Sequence, residues 1–132
     1  MKTAIAMSIL GLLALSQPAL SASKTIASAP VGPNSVFGGA AMTCSIFNAG
    51  SDPIVLGGRT ILDSSGVAQT LTADTCGATP LPPRHSCSFA YAGSIGGEFV
   101  CRVKATGATV NMRGVATFRT GAASVLMWSP IQ

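Results

Sequence analysis

Two cysteines set in the middle of alternating segments constrain this chain more than any other feature. Residues 97–105, Gly-Glu-Phe-Val-Cys-Arg-Val-Lys-Ala, put Phe99, Cys101, Val103 and Ala105 on one face and Glu98, Arg102 and Lys104 on the other. That two-residue period is the mark of a half-buried β-strand, with Val100 the one apolar residue on the polar row. Far upstream, Met42, Cys44 and Ile46 line one side of a second such segment, residues 42–48. Two inward-facing cysteines on distant strands fit a disulfide that pins two sheets together. The chain has four cysteines in all, which allow three pairings. The expected ones are Cys44 with Cys101 across the sheets and Cys76 with Cys87 closing a local loop. Zinc fits poorly, since there is no Cys-x-x-Cys pair and the lone histidine, His85, is not spaced to join one.

Disulfides need an oxidising compartment, and the amino terminus supplies a reason to expect one. Lys2 is followed by an uncharged apolar run from Ala4 to Leu15 and then by Gln17-Pro-Ala-Leu-Ser-Ala-Ser23. A charged start, a short apolar centre and a small-residue exit read as a secretory signal peptide over residues 1–23, cleaved after Ser21 or within two residues of it. The run is too short for a bilayer, which takes roughly 20 residues, and no later stretch reaches that length. No cysteine follows it to carry a lipid. The expected mature protein is therefore secreted or periplasmic, with no transmembrane segment. At about 110 residues it has room for one domain and one sheet-on-sheet core.

Only 9% of the residues are charged, and the segments between turn formers are too short for ordinary helices. An all-β chain follows. Residues 24–34, with Pro30 and Pro33, read as an N-terminal arm or an edge strand, and residues 35–132 as the β domain. Strands are expected at about 41–48, 54–63, 67–72, 87–91, 97–105, 109–119 and 124–128. Gly57-Gly58 suggests a bulge in the second or its division into two short strands, and Val67, Gln69 and Leu71 share a row in the third. The 97–105 and 109–119 strands, joined through Thr106-Gly107-Ala108, are expected to pair as a hairpin. Seven or eight short strands with turns between them make an antiparallel β-sandwich.

Several motifs line up across this pattern: Cys44 in an early strand, Asn48 to Ser51 just after it, Leu81-Pro-Pro-Arg-His-Ser-Cys-Ser-Phe89, and Phe99-Val-Cys-Arg-Val103. Together, over about Thr43 to Thr117, they resemble small secreted bacterial immunoglobulin-like β-sandwich proteins. The resemblance implies an immunoglobulin-like fold and no particular activity. An antibody-type domain packs a tryptophan from its third strand on the central disulfide, whereas the single tryptophan here is Trp128. That departure argues against the strict immunoglobulin order.

Chemistry-bearing residues are sparse. Ser86, His85 and Asp74 offer the residue types of a hydrolytic triad. Neighbours on an extended strand face opposite ways, however, and no Gly-x-Ser-x-Gly elbow occurs. Asp52, Asp63, Asp74 and Glu98 are the only acids, too scattered for a calcium loop. No enzyme activity and no cofactor is expected. If the 97–105 and 109–119 strands pair, Arg102, Lys104, Arg113 and Arg119 share the non-core face, four of the seven cations left after cleavage ahead of Lys24. Such a face suits a protein or another anionic component of the cell envelope. Aromatic interleaving for nucleic acid is absent. The expected function is a non-enzymatic binding or accessory module. The alternatives are a self-associating fibre subunit that uses residues 24–34 as a donor strand and, more remotely, a small hydrolase.

Overall fold

A computed structural model describes residues 23–32, 37–107, 111–120 and 124–131, without the side chains at 37, 38, 95 and 124–131. Residues 1–22 of the expected signal peptide, Pro33 and Asn34 of the expected arm, and Gly121 of the expected last turn lie outside the described residues. The strands in chain order are β1 (Ser23–Ala27), β2 (Phe37–Asn48), β3 (Val55–Asp63), β4 (Ala68–Gln69), β5 (Ala73–Asp74), β6 (Ser86–Ile95), β7 (Phe99–Thr106), β8 (Met112–Thr120) and β9 (Ser124–Ile131). They form two antiparallel sheets, one ordered β1-β7-β3-β4 and the other β5-β6-β2-β8-β9. The all-β sandwich is as expected.

Alternation builds the core. Along β7, Phe99, Cys101, Val103 and Ala105 are buried and Arg102 and Lys104 exposed. Val100, the odd apolar residue of the polar row, stands opposite Leu62 of β3, so the two half-buried side chains share the outer face. From the facing sheet come Met42, Cys44 and Ile46 of β2, Phe89 of β6, and Ala116 and Phe118 of β8, each at most 1% exposed. The Cys44–Cys101 bond joins the middle of β2 to the middle of β7, and Cys76–Cys87 closes the loop before β6.

The expected β7–β8 hairpin does not form. Both edges of β7 are already taken, by β1 on one side and β3 on the other, so after Thr106 the chain crosses to the opposite sheet and β8 pairs with β2. A short Gly-containing connection permits either a hairpin or an arch, and the open edge decides between them. In the immunoglobulin order the first strand lies beside the second, and the strand after the second disulfide cysteine lies beside the one carrying it. Here the two have exchanged sheets: β1 lies beside β7, and β8 beside β2.

Residues 24–32 thus run along β7 for its whole length. Ser23 stands opposite Thr106 and Ala27 opposite Arg102. Beyond the strand, the Ser28 N–H donates to the Cys101 carbonyl at 2.9 Å, and the Cys101 N–H donates back to Ser28 Oγ at 3.0 Å. Val31 and Phe99 then exchange both backbone bonds at 2.8 Å. Ile26 and Val31 enter the core, which is what ties down a segment otherwise made of small residues and prolines.

Two further expectations change. Residues 67–72 are not one strand: β4 pairs with β3, after which the chain crosses over and β5 pairs with β6, leaving Val67 57% exposed and Leu71 packed against the core. The expected turn at 93–97 begins later, because β6 continues to Ile95 opposite Phe37. The bulge at Gly57-Gly58 is present, as a register shift between Leu56 and Arg59. Arg59 secures it: Nη1 donates to the Leu56 and Gly57 carbonyls at 3.0 Å, and Nε donates at 2.8 Å to Asp74 Oδ2 on β5. That ion pair links the two sheets along one side of the sandwich. Pro130 falls within β9, on the outermost strand of its sheet, where a missing N–H is tolerated.

Candidate anion-binding face

The four cations expected on one face are divided between two. Arg102 and Lys104 lie on the outer face of β7, whereas Arg113 and Arg119 lie on the outer face of β8, beyond the core. Alternation placed each of them correctly as outward-facing, but it carries no information on which strand lies beside which. The β1 and β3 edges of β7 therefore decide the neighbours of Arg102 and Lys104.

Across β7, Thr25 stands opposite Lys104 on the β1 side, and Thr60 opposite Arg102 on the β3 side. Thr25, Gly58, Thr60, Arg102 and Lys104 line a cleft of about 190 Å³. The bulge makes room for it. A β-carbon on Gly58 would meet no atom within 4 Å, so the missing side chain leaves open space, while one on Gly57 would sit 3.3 Å from the Lys104 carbonyl oxygen.

Neither cation has an acidic partner among the described residues, where the ion pair is Arg59–Asp74. Asp63 accepts the Ser65 and Val67 N–H groups and the Gln69 amide, each at 2.9 Å, and Asp74 also accepts the Cys76 N–H. Asp63 is thus held in its own turn, and Asp74 by Arg59 and the Cys76 N–H. Neither the Arg102 guanidinium nor the Lys104 ammonium makes a hydrogen bond to the described residues, and the Thr25 and Thr60 hydroxyls make none either. By contrast, the hydroxyls of Thr72, Thr75 and Thr117 each bond a backbone carbonyl. Two unpaired cations and two unused hydroxyls from three adjacent strands thus face one small hollow.

The other pair of cations differs. Arg113, opposite Phe47, borders a more apolar hollow of about 270 Å³ with Ser45, Ser86 and Val115, and its Nη1 donates to the Met112 carbonyl at 3.0 Å. Arg119 stands six residues along β8, opposite Ala41. The triad residues are not brought together. The Asp74 carboxylate is held by Arg59 and the Cys76 N–H, His85 Nδ1 lies 2.8 Å from the Pro83 carbonyl, and Ser86 is on the outer face opposite Phe47. Among the described residues, no three of His, Cys, Asp and Glu cluster as a metal site would require.

Thr25, Gly58 and Thr60 were not legible as site residues. Thr25 sits in a segment with two nearby prolines, and Gly58 reads as part of a bulge. Only the pairing of β1 and β3 with β7 brings them beside Arg102 and Lys104. Compared with known protein families, with curated proteins and with solved structures, the chain matches none, so the reading of its function rests on this geometry.

Proposed function

We propose that the protein is a non-enzymatic binding module of the cell envelope, secreted or periplasmic, whose contact surface is the outer face of the β1-β7-β3 sheet around Arg102 and Lys104. The observation that carries this reading is the pair of exposed cations with no acidic partner among the described residues, two residues apart on one strand, above a cleft edged by two free hydroxyls. Concentrated and unpaired, these two attract an anionic partner and repel a cationic one. Export is supported by the leader-like amino terminus and by two disulfides, which last in an oxidising compartment.

The test is capture of the protein on its own cell envelope at low and high salt, comparing wild type with R102S/K104S and R113S/R119S. Wild type and R113S/R119S are expected to be retained, with retention falling as salt shortens the screening length to about 3 Å at 1 M. R102S/K104S is expected to be lost at low salt. Equal retention of both double variants would refute the assignment. So would recovery of the protein bound only to copies of itself.

A further inference from the structure

We infer that the cleft between Thr25, Gly58, Thr60, Arg102 and Lys104 takes a tetrahedral oxyanion, a phosphate or sulfate ester carried on a glycan; this rests on the binding-face reading above. The donor set distinguishes this group from a carboxylate. A carboxylate has two oxygens in one plane and a single charge, which an arginine fork satisfies alone. A phosphate or sulfate monoester presents three free oxygens in different directions. The cleft offers matching donors: the Arg102 fork, the Lys104 ammonium as a point charge two residues along, and hydroxyls from β1 on one side and β3 on the other.

The dimensions agree. Residues two apart on a strand are about 6.7 Å apart, and adjacent strands lie about 4.8 Å apart. Both long side chains can therefore bend to one group lying over the gap that Gly58 leaves. Local charge suits the phosphate monoester, which carries nearly two negative charges at neutral pH where two cations are present. A sulfate ester carries one charge, as a carboxylate does, and differs from it in its three oxygens.

A glycan is favoured as the carrier because of what lines the cleft. Its lining holds two threonines and a glycine and no large apolar or aromatic side chain. Burial in a bilayer interface calls for such apolar groups, whereas sugar hydroxyls pair readily with threonine.

The mature protein is titrated with dextran sulfate, with polygalacturonate as the carboxylate polymer, and with phosphatidylglycerol vesicles. The variants are R102S/K104S, T25V/T60V and G58V. Thr→Val keeps shape and charge and removes only the hydroxyls, and valine at 58 fills the gap with both cations intact. Unchanged circular dichroism and melting temperature in each variant confirm folding. Dextran sulfate is expected to bind at least tenfold more tightly than polygalacturonate, and T25V/T60V and G58V each to weaken it about tenfold. Polygalacturonate binding as tightly as dextran sulfate, or T25V/T60V binding like wild type, would overturn the oxyanion site. If R102S/K104S still lost all binding, the basic face would stand. Tighter binding to vesicles than to dextran sulfate would overturn the glycan as carrier. Undiminished binding by R102S/K104S would overturn both readings.

Discussion

Replacing Cys44 and Cys101 together by alanine is expected to lower stability by about 4 kcal/mol or more and to leave much of the protein unfolded at about 37 °C. The bond closes a loop with a sequence separation of 57, for which chain entropy alone gives about 4 kcal/mol. Small domains have about 5–15 kcal/mol in total. Both cysteines are fully buried, so truncation also leaves a void between the sheets. The bond holds the centre of one sheet to β7, and β7 in turn supports β1 and β3. C76A/C87A makes the comparison. Its loop has a separation of 11, worth about 3 kcal/mol by the same reasoning, and it is local to one end of β6. In urea, the Cys44/Cys101 variant is expected to unfold about 2 M earlier than wild type. A smaller shift than that of C76A/C87A would mean that the inter-sheet bond is not the main constraint on the fold.

The second large effect is expected at Asn48, the most completely buried polar residue among those described. It is 0% exposed at the end of β2, and its side chain is fully engaged. Nδ2 donates to the carbonyls of Asp52 at 2.8 Å and Leu81 at 3.1 Å, while Oδ1 accepts the Gly50 N–H at 2.9 Å. Its backbone bonds Arg84 and His85 in the loop that carries Leu81. One side chain thus stitches the turn after β2 to the proline-rich loop before β6. Asn48→Leu keeps the branched shape of the side chain and removes all three bonds, leaving the Leu81 carbonyl buried without that partner. A loss of about 3 kcal/mol follows from roughly 1 kcal/mol for each bond. Gly50 amide exchange is expected to accelerate together with the drop in urea midpoint. A loss below about 1 kcal/mol, or an unchanged Gly50 rate, would show that backbone bonds alone hold this end.

What the sequence made legible was whatever depends on a single segment. The alternation through Phe99, Cys101 and Val103, the inward Cys44, and the bulge at Gly57-Gly58 are all local patterns, and each has its place in the structure. Facing direction pointed to the Cys44–Cys101 pair, and closeness in the chain to Cys76–Cys87. Neighbour relations were not legible in the same way. Thr106-Gly107 permits a hairpin as readily as a crossing, and the edge beside β7 went to β1, whose own strand buries only Ile26. A segment so weakly patterned gave no sign that it outcompetes β8. The same limit hid the site, because Thr25 and Thr60 become its members only through their register with Lys104 and Arg102. Asn48 stood out only as the start of the motif that follows the early strand. Its burial depends on a distant loop, since the Leu81 carbonyl that it bonds lies 33 residues further along the chain.

The central claim is that Arg102 and Lys104, and not Arg113 and Arg119, form the contact surface. Nuclear magnetic resonance of the isotope-labelled mature protein, titrated with a short dextran sulfate, tests it most directly. Shifts are expected at Thr25, Gly58, Thr60, Arg102 and Lys104, with Arg113 and Arg119 unmoved. Shifts of equal size at Arg113 and Arg119, or none around the cleft, would contradict it.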